Sequence, residues 1–81
     1  MILTYLGKRN YKGTSKDGKA YNFDRLAFLD TQPSDSVVGS FPMICVPTSG
    51  LDYSNLVPGR EYDVHGMWSK GNYYVNVILE V

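Results

Sequence analysis

Residues 61–81 read EYDVHGMWSKGNYYVNVILEV, two alternating runs folded around a turn. In the first run Tyr62, Val64, Gly66 and Trp68 share one face, and Asp63, His65 and Met67 the other. In the second, Tyr73, Val75, Val77, Leu79 and Val81 oppose Tyr74, Asn76, Ile78 and Glu80. A period of two belongs to half-buried β-strands, and Gly71-Asn72 marks the reversal between them. Upstream, Asp17-Gly18 separates Tyr11, Thr14 and Ser15 from Tyr21, Phe23, Leu26, Phe28 and Leu29. Asp-Gly tolerates the positive φ angles of a type I′ turn, so a second hairpin is expected here. Between the hairpins, Val37 to Val46 reads as a lone strand ended by Pro47, which cannot donate to a ladder. Ser49-Gly50 turns the chain, Leu51 to Val57 has room for one short helical turn, and Pro58-Gly59 closes the link.

No segment carries apolar residues at helical spacing for more than two turns, so the chain is an all-β domain of about five strands. A small sheet must protect its edges, and closure does so most completely. Hairpin, lone strand, short link and second hairpin together predict a five-stranded Greek-key OB-fold barrel with two long hairpins. An SH3-like barrel has a similar strand count and is the structural alternative.

The 81 residues allow one domain, residues 1–81. The longest apolar runs, Leu26–Leu29 and Met43–Val46, fall far short of the about 20 residues a membrane-spanning helix needs. The start, Met1 to Lys8, lacks the basic lead and apolar stretch of a secretory signal. A cytoplasmic location is expected. Cys45 and His65 are each single. Cys45 sits in an apolar run as a small hydrophobe, His65 on an alternating strand, and a nucleophilic pair would need both in reach of an orienting third group. No metal-ligand spacing, calcium loop or phosphate loop is present. No enzyme, no metal and no cofactor is expected.

Net charge is zero but unevenly placed. Residues 1–25 carry a balance of +4 and residues 26–81 one of −4. The basic third interleaves cations with flat side chains: Lys8, Arg9, Tyr11, Lys12, Lys16, Lys19, Tyr21, Phe23 and Arg25. Single-stranded nucleic acid asks for this mixture, because cations follow phosphates and rings stack on unpaired bases. Alternating aromatics also pack cores, a reading that applies to Tyr21 and more strongly to Phe23 with its wholly apolar ring. Tyr62, Trp68, Tyr73 and Tyr74 gather at and near the second hairpin tip, and so much aromatic surface predicts a partner surface or a bound base over it. A dimer contact through Trp68 and Tyr73 is expected for part of it.

Local matches run in order along the chain: Lys16-x-Gly18-Lys19-x-Tyr21, Leu26-Ala27-Phe28-Leu29-Asp30, Phe41-Pro42, then Pro58-Gly59-x-x-Tyr62-x-Val64-His65 and the hairpin from Trp68 to Tyr74. In this collinearity and in length the sequence resembles the filamentous-phage single-stranded-DNA-binding (gene V protein) family. The resemblance implies an OB-fold homodimer that coats single-stranded DNA cooperatively, with little sequence preference. It implies a DNA-binding wing in which Lys16 matches a phosphate-contacting arginine, Lys19 a wing lysine, and Tyr21 a base-stacking tyrosine beside Phe23. Phe28 and Phe41 match two further aromatic positions, and the tip aromatic corresponds to Tyr73 or Tyr74. Where the family carries three further cations, this chain has Val46, Ile78 and Glu80. That leaves the phosphates to Lys12, Lys16, Lys19, Arg25 and Lys70.

The sequence therefore favours a non-enzymatic single-stranded-DNA-binding protein of phage or mobile-element DNA replication or transfer, with no membrane partner. Alternatives are a small protein–protein interaction module, such as a phage-encoded inhibitor, and an RNA-binding OB-fold.

Overall fold

The computed structural model describes residues 1–31 and 39–81. Five strands, β1 (Ile2–Thr14), β2 (Ala20–Asp30), β3 (Phe41–Pro47), β4 (Glu61–Ser69) and β5 (Asn72–Glu80), close into a barrel in the order β1-β2-β3-β5-β4. All pairings are antiparallel except β3 with β5. This is the five-stranded Greek-key OB-fold. Val37 and Val38, assigned to the third strand by sequence, lie outside the described residues. No helix among the described residues is long and apolar enough to cross a membrane.

Both hairpins form where turn chemistry placed them, but each turn differs from its expectation. In the first, Gly18 N–H donates to Ser15 at 3.0 Å and Ser15 N–H to Lys19 at 2.8 Å. Gly18 alone takes a positive φ of 80°, so Asp17 is spared the left-handed conformation that type I′ demands. The loop is the longer kind, with one glycine closing it. In the second, Ser69 pairs with Asn72, and the central residues are Lys70 (φ 50°) and Gly71 (φ 82°). The type I′ turn thus falls one residue earlier than Gly71-Asn72 suggested. The helical turn expected over Leu51 to Val57 does not form. Asp52 instead accepts from the Ser54 amide at 3.0 Å and its hydroxyl at 2.7 Å, a local turn that competes with helix.

Two β-bulges set which side chains face where. In β1 the register passes from Tyr5↔Phe28 to Gly7↔Ala27, leaving Leu6 unpaired. Leu3 and Tyr5 therefore point inward, while Gly7, Arg9, Tyr11 and Gly13 switch to the outer face. In β5 the register passes from Gly66↔Val75 to His65↔Val77, leaving Asn76 unpaired. Tyr73 and Val75 stay inward, but Ile78 replaces Val77 and Leu79 against the core. The uninterrupted alternation read from 73–81 is corrected by that one extra residue. Opposite it, a Cβ on Gly66 would overlap the Tyr74 carbonyl, so glycine is required there.

The core holds Leu3, Tyr5, Leu26, Phe28, Cys45, Tyr62, Val64, Tyr73 and Val75, with no buried charged residue among the described residues. Tyr5 packs 5.4 Å from Phe28 and 6.4 Å from Tyr62, centroid to centroid. Leu51, Tyr53 and Leu56 of the link cover this core, and the Val57 amide donates to the Tyr62 hydroxyl at 2.8 Å. Cys45 is fully enclosed, and burial pushes its thiol up to about 11. It packs as the small hydrophobe expected.

Candidate nucleic-acid interface

β3 reaches only Leu26–Asp30 of β2, and β4 only Ile2–Thr4 of β1. Residues 9–14 and 20–25 consequently pair only with each other among the described residues, as a two-stranded wing leaving the barrel. Isolated ribbons are marginal, and this one is held by a layer of side chains on its outer face. Cross-strand pairs Arg9↔Arg25, Tyr11↔Phe23 and Gly13↔Tyr21 follow in sequence. Tyr11 and Phe23 stack with centroids 5.3 Å apart and planes 19° from parallel, and Tyr21 leans on Phe23 at 5.7 Å. The Tyr21 ring lies across Gly13, where a Cβ would meet its hydroxyl at 2.6 Å. The Arg9 guanidinium sits 5.2 Å from the Tyr11 ring and that of Arg25 sits 4.3 Å from Phe23. Ring stacking and cation–π contact hold these groups in place while leaving them open. Tyr11, Phe23 and Tyr21 remain 37%, 39% and 42% exposed. No third layer of described residues covers the wing, so the core reading of Tyr21 and Phe23 does not apply.

The other wing face is polar and tied to the barrel. Asp24 accepts from the Tyr53 hydroxyl at 2.5 Å and from Asn10 Nδ2 at 2.8 Å, and Asn10 also donates to Asn22 at 2.7 Å. The Lys8 ammonium lies 5.5 Å from the Tyr53 ring. The Tyr53 hydrogen bond first, and Asn10 second, hold the Asp24 carboxyl below the usual carboxylate range. The same bond pushes the Tyr53 hydroxyl up. A lowered folded-state pKa stabilises the fold above the ordinary carboxylate range, and that contribution fades as pH falls through the lowered value. Tyr53→Phe is expected to move the Asp24 titration upward, toward the ordinary range, in a carbon-detected NMR titration. An unchanged midpoint would mean that the bond does not hold the wing in solution.

The residues singled out by sequence separate into groups. Tyr21, Phe23 and Arg25 share the outer face of the wing, Lys16 and Lys19 are exposed around its tip, and Lys12 is exposed on the polar face opposite Asn22. Phe28 is not available to a base: it is fully buried, because β3 pairs with that part of β2 and the core closes over it. Phe41 is 56% exposed but pairs with Asp30 at the far end of β2, in phase with Met43 and Cys45 rather than with the outward Ile44. It does not join the wing layer. Lys70 is exposed at the second hairpin tip. Tyr73 is buried, its ring 5.1 Å from Trp68 of the same chain, so it is corrected as both a stacking and a dimer-contact residue. Trp68 itself is 64% exposed, and half-buried Tyr74 lies on the opposite face in register with Val46 and Met67.

Arg9 and Tyr11 belong to the basic–aromatic constellation but not to the narrower set of expected contacts, and the Leu6 bulge is what brings them in. The available cue was Gly7 inside an alternating run, since a glycine there marks a bulge. Ile44, 62% exposed beside Ala27 on the outer face, carried no such cue.

Among protein-family models, curated proteins and solved structures, none matches this chain.

Proposed function

We propose that this chain is a non-enzymatic protein that binds single-stranded DNA across the outer face of the β1–β2 wing. The supporting observation is the open layer of Tyr11, Phe23 and Tyr21 bounded by Arg9 and Arg25. Among the described residues Asp63 is contacted by the Met1 amino group and His65, and no lysine or arginine of the wing lies within ion-pair distance of a carboxylate. Rings of this kind stack on bases of any sequence, which favours coating over sequence readout. OB-folds bind oligonucleotides on the β2–β3 face and the loops at its ends, where this wing begins. The collinear likeness to the filamentous-phage family supports DNA as the ligand, a homodimer, a cytoplasmic location, and a role in phage or mobile-element replication or transfer.

Fluorescence anisotropy with labelled oligo-dT, oligo-U and duplex DNA tests this reading. If about five phosphates are neutralised, log K falls with log salt at a slope of about −3.5, a hundredfold or so between 50 and 200 mM. Duplex should bind weakly. Stronger binding to oligo-U would make RNA the ligand. No binding at low salt would overturn the reading and direct attention to a protein partner for exposed Met67 and Trp68.

A further inference from the structure

Arg9 and Arg25 are direct cross-strand partners, an arrangement of like charges that costs stability unless something negative lies between them. The nearest carboxylate in sequence, Asp24, points to the other face and is engaged by Tyr53 and Asn10. Arg25 instead donates to the Asp24 carbonyl at 3.0 Å, and both guanidiniums are braced by rings. Two oriented forks with no carboxylate in ion-pair reach among the described residues suit a phosphate, which arginine grips bidentately and lysine does not. Beside them lies a concavity of about 310 Å³ whose lining includes both arginines, with Leu6, Gly7, Ala27 and Ile44 forming its aliphatic part. Gly7 pairs with Ala27, and Ala27 with Ile44, so this apolar strip continues from the arginine pair onto the barrel.

The geometry points to a nucleotide subsite at the foot of the wing: one phosphodiester held between Arg9 and Arg25, its base resting on Ala27 and Ile44. The subsite takes the strand off the aromatic layer and onto the β2–β3 surface. It deepens the single-stranded-DNA reading and rests on it.

The test is oligo-dT anisotropy over a salt series with wild type, Arg9→Gln/Arg25→Gln, Arg9→Lys/Arg25→Lys and Ile44→Ala, each checked for fold by circular dichroism. The glutamine pair should bind at least tenfold more weakly, with a salt slope less steep by about 0.7, one phosphate's share on single strands. The lysine pair should keep the slope but recover only part of the affinity, because it keeps charge without the fork. Ile44→Ala should weaken binding several-fold with the slope unchanged. Wild-type affinity and slope in a folded glutamine variant would overturn the subsite while leaving the wing as the binding face. Failure of the wild type itself to bind would remove the broader reading as well.

Discussion

Phe28→Ala should cost about 3–5 kcal/mol of stability, the usual penalty for emptying a buried aromatic site. A domain of this length has a total of roughly 4–12 kcal/mol, so the variant should lose a large share of its stability and be substantially unfolded only if the wild type lies at the low end. Phe28 is fully enclosed and its ring is tilted against that of Tyr5. Urea denaturation followed by circular dichroism measures the loss. Phe23→Ala is the internal comparison, since the same residue type on the same strand lies on the open wing and should shift the midpoint far less. Equal losses for the two would contradict the division between core and wing.

The second large effect is on binding. Tyr11→Ala/Phe23→Ala removes the stacked pair at the centre of the outer face, leaving the barrel intact. Each base–aromatic stack is worth about 1–3 kcal/mol. The two rings touch, so their contributions do not simply add. A loss of about 2 kcal/mol or more, some thirtyfold in affinity for oligo-dT, is expected with little change in the salt slope. That pattern separates stacking from charge. Unaltered affinity would mean that the rings only brace the wing.

The fold was legible because turn chemistry and alternation are local. Asp17-Gly18, Gly71 and Pro58-Gly59 punctuate the chain where it turns, and the second hairpin's arms fall as β4 and β5. Which aromatics would be covered was not legible. Phe23 and Phe28 are the same residue type on one strand, but Phe28 points into the barrel with Leu26 while Phe23 points outward with Arg25, on the length of β2 that β3 does not reach. Nor does periodicity announce a bulge. One unpaired residue at Leu6 turns Arg9 and Tyr11 outward, and one at Asn76 turns Ile78 inward. Tyr73 and Tyr74 are neighbours with opposite fates for the same reason: strand phase, not residue type, places one in the core.

Amide chemical-shift mapping of the labelled protein, titrated with oligo-dT at low salt, tests the binding face most directly. The largest shifts should trace residues 7–13 and 20–27 together with Ile44, with smaller ones at the Lys70 turn. Shifts confined to the second hairpin, or none at all, would contradict a wing that binds single-stranded DNA.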